Sequence, residues 1–462
     1  MATTDRRELL RTLRKRIFAG ALLVAALFTL IQAVDYRQNV PSNDTYQYAK
    51  QTLRILGDTQ QQAVHDSVVM YCQDSGNAAA TADTLNSAAG ATGSGTDYTS
   101  AYQACLHTYR DGLTPSSPRY LAIFTSRPGY PLLAAPFAAL FGLRFGLWIA
   151  AMLCTLVASF LVIALLRLAG CPDLLALGGQ VLFLAAPTGY WGSRMLTDGP
   201  SLATSLLALF GAVLLVKGVG GARGVKGQGR IRLGTSLLVA GFVTGFVVRY
   251  SSEQLVALVL AVAALICLRW VPSSRGRGMK LLAIVSGAGF IVSELASTVL
   301  GWPGFSVSLQ DTFTKHFIRP DASDPLGHLA RLDLHFWAYY PVSESTALLL
   351  AVGLIAIGVA LVRRDAVFGI FSVSVAATGL GAVIAHPIAS QADRLMSPVW
   401  VLLALGLPLL FAARRMGPEP QSASESESQS PLGSGDANED GSGEPPTPGQ
   451  QQETAFVSSD AA

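Results

Sequence analysis

Charged residues are scarce in this sequence. Asp, Glu, Lys and Arg together make up 14% of its 462 residues, against about 25% in typical soluble domains. This shortage excludes a series of ordinary soluble domains over most of the chain. The sequence also lacks a Walker loop and a Rossmann glycine pattern, so a nucleotide-binding domain is not expected. The six histidines lack metal-ligand spacing. No histidine metal site is therefore predicted, and no nucleic-acid partner is expected.

Apolar residues are abundant instead. They make up 51% of the chain and are gathered in blocks of about 17–25 residues, the length that crosses a bilayer as a helix. The first block lacks a small-residue cleavage pattern, which favours a retained span over a signal peptide. The pattern predicts an all-α membrane protein. About ten transmembrane helices are expected, at residues 17–34, 146–168, 174–190, 200–217, 233–250, 254–270, 281–300, 345–362, 366–388 and 395–413.

Clusters of Lys and Arg predict the orientation of these spans. They occur at the N-terminus ("RRELLRTLRKR"), after the fourth and sixth predicted spans ("KGVGGARGVKGQGRIR" and "RWVPSSRGRGMK"), and as Arg pairs after the eighth and tenth. Ten spans place all five clusters on one side, which the positive-inside rule makes cytoplasmic. The run "PGYPLLAAPFAALFG" is short and broken by proline, so it is predicted to be re-entrant or interfacial. The expected location is a bacterial plasma membrane, with both termini in the cytoplasm.

This topology divides the chain into three parts. Residues 1–16 are a basic cytoplasmic N-terminus, residues 17–415 are the membrane domain, and residues 416–462 are predicted to be a disordered acidic cytoplasmic tail. Two outer loops are expected within the membrane domain, at residues 35–144 and 301–345. The first is large enough to contain interfacial helices.

Two cysteines lie in the first predicted outer loop. Cys72 and Cys105 flank the low-complexity stretch "SGNAAATADTLNSAAGATGSGTDYTS", which is predicted to be a flexible insertion. A disulfide between them would close off that insertion on the oxidising side of the membrane. Two free thiols are the alternative.

The stretch "VPSNDTYQYAKQTLRILG" follows the first predicted span and predicts a short helix, with Ser42 as N-cap and Gly57 as terminator. An acid in the first turn is stabilised by the helix dipole, so Asp44 has a purely structural explanation. A narrow apolar face at helical spacing suits a helix that lies on the membrane surface. Its residues are Tyr46, Ala49, Leu53 and Leu56.

Other charged residues are predicted at the outer ends of the spans. Asp198 precedes the fourth span in "MLTDGPSLATSLLALF", Arg249 ends the fifth, and Arg394 begins the tenth. Each has a structural explanation as a helix cap or as a side chain snorkelling to the interface. Together with Asp44, they predict two acids and several cations at the mouth of one bundle.

The order of these features resembles the GT-C-type membrane glycosyltransferases, the class that includes protein mannosyltransferases and aminoarabinose transferases. The similar segments are "NDTYQYAKQTLRILG", the Pro-rich "RPGYPLLAAPFAALFG", "LRFGLWIAAMLCTLVASFLVIALLRLAG", "MLTDGPSLATSLLALF" and "AGFVTGFVVRY". The resemblance covers residues 17–261, and beyond them only the hydropathy is similar. The family often shows two adjacent acids in the first loop, whereas Asp44 here follows Asn43.

The resemblance implies a GT-C-like bundle and an inverting transfer of a sugar from a polyprenyl-phosphate donor. The acceptor would be a protein, a lipid or a glycan at the outer face, and membrane lipids would surround the donor's tail. Asp44 would be the general base that takes the proton of the acceptor hydroxyl, and Asp198 would orient the acceptor or a cation. Five residues are candidates to stabilise the phosphate leaving group: Arg249, Arg394, Lys315, His316 and Arg319.

Two further residues are candidates for the cavity. Glu294 lies inside the seventh predicted span, where an acid usually faces a cavity or a partner, and Tyr48 belongs to the acid-and-tyrosine stretch. No cofactor is predicted with certainty, and a divalent cation bound by carboxylates stays open. Two other functions also stay open: a secondary transporter, although no internal symmetry is visible, and a non-catalytic protein that binds lipid or scaffolds envelope proteins.

Overall fold

The computed structural model of this chain describes residues 2–35, 42–89, 97–113, 117–220, 225–343 and 347–415. All secondary structure within these ranges is helical, and the predicted tail at 416–462 lies outside them. The α-helices are, in chain order, α1 (Ala2–Asp35), α2 (Asn43–Leu56), α3 (Gln60–Ala88), α4 (Tyr98–Thr108), α5 (Pro118–Thr125), α6 (Gly129–Phe141), α7 (Leu143–Leu168), α8 (Asp173–Ala185), α9 (Pro187–Gly192), α10 (Asp198–Gly220), α11 (Val225–Trp270), α12 (Arg277–Val299), α13 (Phe305–Phe313), α14 (Pro325–Ser343), α15 (Ala347–Arg364), α16 (Ala366–Ala385), α17 (Ala389–Leu395) and α18 (Val401–Arg415). Two 3-10 helices, Pro272–Ser274 and Ser397–Trp400, lie among them.

Seven segments of the described chain are long and apolar enough to cross a membrane. They are Ile17–Val34, Leu143–Leu168, Asp198–Lys217, Gln228–Trp270, Arg277–Val299, Ala366–Ala385 and Ala389–Ala412. An eighth results if α14 and α15, which meet at a bend of 102°, count as one broken span. The chain is therefore an all-α, multi-pass membrane protein, and length and composition alone do not reach the predicted count of ten.

Several predicted spans differ in the structure. The third, predicted at 174–190, is divided into the 13-residue α8 and the six-residue α9. The division falls at Pro187, whose ring has no N–H to continue the hydrogen bonding of α8. The fifth and sixth, predicted at 233–250 and 254–270, both belong to the 46-residue helix α11.

Helix α11 is broken at Arg249, which has non-helical dihedral angles of φ −162° and ψ 84°. Its apolar segment of 43 residues would measure about 65 Å as a straight helix, twice the hydrocarbon thickness of a bilayer, which is about 30 Å. Glu253, which follows the break, contacts Gly245, which precedes it. Its carboxylate lies so close to Gly245 that a Cβ added there would overlap it. Eight residues span about 12 Å in a straight helix, so this contact shows that the chain bends sharply at Arg249.

The core is centred on α7 and α10, where Leu147, Leu165, Leu206 and Leu209 are fully buried. Helices α6 and α7 pack so closely that a Cβ added at Gly146 would overlap the backbone of Ala138. Glycine at this position permits the close approach. With 13 residues, α6 is about 20 Å long, which is too short to cross a bilayer. It corresponds to the run predicted to be re-entrant or interfacial.

The segment between α1 and α7 is more ordered than predicted. Helix α3 begins with a capping box at Thr59 and continues through the first half of the low-complexity stretch to Ala88. The prediction of a flexible insertion is wrong for residues 75–88, because this alanine-rich part has high helix propensity. Residues 90–96 lie outside the described chain. A disulfide joins Cys72 of α3 to Cys105 of α4.

Candidate functional site

Helix α2 begins and ends as its sequence predicts. The Ser42 side chain accepts a hydrogen bond from the backbone N–H of Thr45 at 3.2 Å, and Gly57 closes the helix with φ 103°, a value that favours glycine. One side of the helix packs inside the protein, where Tyr48 and Ala49 are fully buried. Asp44 lies in the first turn of this partly enclosed helix.

The structure brings together four of the predicted site residues. Arg394 connects the two acids: its Nη1 lies 2.8 Å from Asp44 Oδ2 and its Nε lies 2.9 Å from Asp198 Oδ2. Arg249 Nη1 approaches the other oxygen of Asp198 at 3.8 Å. These side chains come from α2, α10, α11 and α17, so helices far apart in sequence meet at one point.

A fifth charged residue, Arg127, completes this group and was not among the predicted site residues. Its Nη1 donates a hydrogen bond to the Tyr48 hydroxyl at 3.4 Å, and the same hydroxyl lies 3.4 Å from Thr197 Oγ1, next to Asp198. The only sequence signal for Arg127 is its position just before the Pro-rich run that forms α6. We call Asp44, Arg127, Asp198, Arg249 and Arg394 the ion cluster.

Three guanidinium groups face two carboxylates in the ion cluster, so the cluster carries one positive charge in excess. The Nε atoms of Arg127 and Arg249 are buried and have no hydrogen-bond partner among the described residues. The Arg394 and Asp198 side chains are only 9% and 7% exposed, whereas Asp44 is 25% exposed. A buried charge without a counter-ion is costly, so the cluster is suited to bind an anion beside Asp44.

The charges around Asp44 keep its carboxyl group ionised. Burial by itself raises the pKa of Asp44, but the positive charges of Arg394, Arg127 and Arg249 and the hydrogen bond from Arg394 outweigh it and hold the pKa below its usual value. Asp44 is therefore a carboxylate at neutral and mildly acidic pH. It can accept a proton only transiently, as a weak general base.

The segment after α13 borders the ion cluster. Lys315, His316 and Phe317 have φ values of 50°, 62° and 62°, a left-handed turn that side chains with a Cβ rarely adopt. His316 Nδ1 lies 3.0 Å from Asp311 Oδ1, and this hydrogen bond raises the pKa of His316 although burial opposes it. The negative charge of Asp44 also reaches His316. When His316 is protonated, the Asp311–His316 pair adds no net charge beside the cluster.

The other residues predicted in this segment lie differently. Lys315 and Arg319 are exposed, and neither is paired with an acid of the ion cluster in the described structure. His386 is closer: its Nδ1 lies 2.8 Å from Thr312 Oγ1, and it is within electrostatic reach of Asp44 and Arg394. Of the phosphate candidates Lys315, His316 and Arg319, only His316 is placed beside the cluster.

Glu294, predicted as a cavity candidate, lies outside the ion cluster. It is exposed on α12, where its Oε2 accepts a hydrogen bond from Gln254 Nε2 at 2.5 Å. It lies near the end of its helix, so it can reach the membrane interface without facing a cavity. The buried acid of this region is Glu253, which is 3% exposed. It was not among the predicted cavity residues. Its Oε1 has no hydrogen-bond partner in the described chain.

A carboxylate-bound divalent cation does not fit the ion cluster. Both acids already bind Arg394, and a cation beside three guanidinium groups would add to the excess of positive charge. Within the described ranges, no group of three or more His, Cys, Asp or Glu side chains is placed to hold a metal ion.

Comparison with known proteins does not assign a family, since no family model, no curated protein and no solved structure matches this chain.

Proposed function

We propose that this protein is an inverting glycosyltransferase of the GT-C type, which transfers a sugar from a polyprenyl-phosphate donor to an acceptor at the outer face of the membrane. One observation carries the proposal: an ionised carboxylate, Asp44, lies beside a buried group of arginines with one positive charge in excess. A reaction that deprotonates an acceptor and releases a phosphate requires those two features next to each other.

The phosphate of the donor would supply the missing negative charge. The unused Nε–H groups of Arg127 and Arg249 can donate to phosphate oxygens, and guanidinium groups bind phosphate in a bidentate manner. As the bond between the sugar and the phosphate breaks, negative charge grows on the leaving oxygen. Fixed cations in a buried site stabilise that charge more strongly than water does.

Asp44 would act on the acceptor. The acceptor oxygen forms a bond to the anomeric carbon on the face opposite the phosphate, its proton passes to the Asp44 carboxylate, and the electron pair of the broken bond remains on the phosphate. Arg394 holds Asp44 and Asp198 together, so Arg394 positions the base. Asp198 orients Arg394 and Arg249 in this scheme, and no step requires a metal ion.

The topology proposed with this function has ten crossings. It counts the two halves of α11 on either side of Arg249 as separate spans, counts α14 with α15 as one broken span, and includes α8 with α9 as a short one. The basic clusters then lie on the cytoplasmic side. The ion cluster would face outward, where a lipid-linked donor can be used without a nucleotide.

The proposal is tested with the variant Asp44→Asn, which keeps the shape of the side chain and removes the base. Envelope glycans and glycoproteins are compared by mass spectrometry in cells that have the wild-type protein, the variant or no protein. We expect the glycan that depends on the protein to fall about 10²–10⁴-fold in the variant, at an unchanged protein level. The matched control is Asp58→Asn, at the other end of α2.

Other outcomes would favour the other functions. Identical glycans in all three strains would overturn the proposal of an enzyme. If cells without the protein have an envelope defect and the Asp44→Asn variant restores the wild-type envelope, the protein is a scaffold. Accumulation of free sugar in vesicles that contain no sugar-lipid would indicate a transporter.

A further inference from the structure

A second site lies at the far end of α2 from Asp44. A cavity of about 480 Å³ opens there between α2, α3 and the junction of α6 with α7. Its apolar lining is formed by Leu53, Val69, Met70, Phe141, Leu143 and Phe145. Leu53 follows Asp44 by nine residues, which is about 14 Å along a helix, so this cavity is separate from the ion cluster.

One wall of the cavity is a single stripe of α3. Asp66, Val69, Met70 and Gln73 line it and recur at the spacing of one helix face. Polar Asp66 thus lies one turn from apolar Val69 and Met70 on this wall. The wall can therefore contact both the polar and the hydrocarbon part of one ligand.

The opposite wall is the turn from α6 into α7. Gly142 closes α6 with φ 85°, which favours glycine, and Leu143 starts a segment apolar enough to span a membrane. The neighbouring surface of α6 is also apolar, with Leu132, Leu140 and Phe141 at 52%, 75% and 57% exposure. The cavity thus adjoins an exposed apolar surface next to the start of a candidate membrane span.

The polar groups at the cavity select the head group. Arg144 lines the cavity and forms an ion pair with the fully buried Asp74. The Arg144 side chain is 19% exposed, and a guanidinium group matches the geometry of a phosphate. Asp66 is an exposed carboxylate on the same cavity. Arg144 and Asp66 thus place one basic and one acidic side chain on the same cavity, which favours a head group that carries both a phosphate and an ammonium group.

We propose that this cavity binds one zwitterionic aminophospholipid of the surrounding leaflet, with its phosphate on Arg144, its ammonium group towards Asp66, and the start of an acyl chain against Val69, Met70 and Phe145. The site does not depend on the glycosyltransferase function. It places a bound lipid against the same helix, α2, that presents Asp44.

The proposal is tested on the full chain purified in a mild detergent. Delipidated protein is titrated with short-chain phosphatidylethanolamine and, separately, with short-chain phosphatidylglycerol, and bound lipid is counted by native mass spectrometry. We expect one phosphatidylethanolamine per chain in the wild-type protein. Val69→Trp, which fills the cavity, should lose at least tenfold in affinity.

Asp66→Asn separates the head-group preference from the cavity itself. It changes an exposed side chain, so it remains informative if Val69→Trp does not fold. We expect it to reduce the preference for phosphatidylethanolamine over phosphatidylglycerol by up to about fivefold, the size of an exposed ion pair. Asp111→Asn, an exposed acid outside the cavity, should keep the wild-type preference.

Two results would overturn the proposal. One is unchanged phosphatidylethanolamine binding in folded Val69→Trp, and the other is equal binding of both lipids by the wild-type protein with no change in Asp66→Asn. Glycan transfer in the Asp44→Asn experiment is read independently, so failure of either proposal leaves the other intact.

Discussion

Two regions of this molecule bury ion pairs but balance them differently. In the ion cluster, three guanidinium groups meet two carboxylates. At the contact between α3 and α7, the fully buried carboxylate of Asp74 meets the single guanidinium of Arg144. The first region has one base more than it has acids, whereas the second has one acid for one base.

This comparison teaches that charge balance, more than burial, decides whether a buried group requires a counter-ion. A pair of one acid and one base has no excess charge, so Arg144 can contact a zwitterionic lipid without requiring an anion. An unbalanced cluster keeps an unpaired charge away from water, which raises the free energy of the ligand-free protein until an anion binds. The variants below change that balance in one region at a time.

The largest effect is expected for Arg394→Met. This change leaves Asp44 and Asp198 without their common partner, and breaking a buried pair in this way costs about 3–5 kcal/mol of unfolding free energy. The measurement is thermal unfolding of the purified protein in detergent.

Arg119→Met is the control for that variant. Arg119 pairs with Asp321 at 2.9 Å, but both side chains are nearly half exposed, and an exposed pair contributes about 0–1 kcal/mol. Equal destabilisation by the two variants would show that the ion cluster is not buried as described.

A pH dependence is expected from the balanced pair. Burial raises the pKa of Asp74 from 3.8 to about 7, although Arg144 opposes the shift. The folded protein then binds more protons than the unfolded protein between about pH 4 and pH 7, so stability falls as pH rises through that range, by at most about 1.4 kcal/mol per pH unit. Asp74→Asn should flatten the curve of unfolding midpoint against pH from 5 to 8.

Asp44→Asn is the comparison for this pH series. The pKa of Asp44 is lowered, so the stability that depends on its charge is present above the usual value of 3.8 and is lost only as pH falls below it. Asp44→Asn should therefore change the slope between pH 5 and pH 8 much less than Asp74→Asn does, and only through the loss of the attraction between Asp44 and the nearby histidines. A slope that survives in Asp74→Asn would have to come from another group.

The smallest change in ligand-free stability is expected for Arg127→Met. It removes the positive charge in excess and leaves the Arg394 bridge intact, so the unfolding free energy should stay within about 1 kcal/mol of the wild-type value. Farnesyl phosphate should raise the unfolding midpoint of the wild-type protein and have no such effect on the variant, because the excess charge that binds the phosphate is gone. The same increase in both proteins would contradict a phosphate site at Arg127.

Much of the local structure could be predicted from the sequence. Ser42 and Gly57 bound α2 as expected, because capping depends on side chains and backbone angles within a few residues. The apolar blocks predicted membrane helices because hydropathy, like capping, depends only on residues that are close in sequence. The length of α3 was not predicted, since the alanine-rich stretch reads as low in complexity although alanine favours helix.

The candidate site could be predicted only in part. Asp44, Asp198, Arg249 and Arg394 were selected because each stands at the end of a predicted span. Arg127 was missed because nothing in its neighbourhood distinguishes it from a solvated arginine, and Glu253 was missed because the break in α11 that buries it is a tertiary feature. Glu294 was selected in its place, as an acid within an apolar run.

The sequence by itself determined the class of this protein and the two ends of α2, because hydropathy and capping act over a few neighbouring residues. Only the tertiary structure decided which charges meet. Arg394 reaches Asp44 and Asp198 across 350 and 196 residues of chain, and the sum of three guanidinium groups and two carboxylates exists only once the helices pack. An ion pair depends on distance in space, and the packing of helices, not their order in the chain, sets that distance.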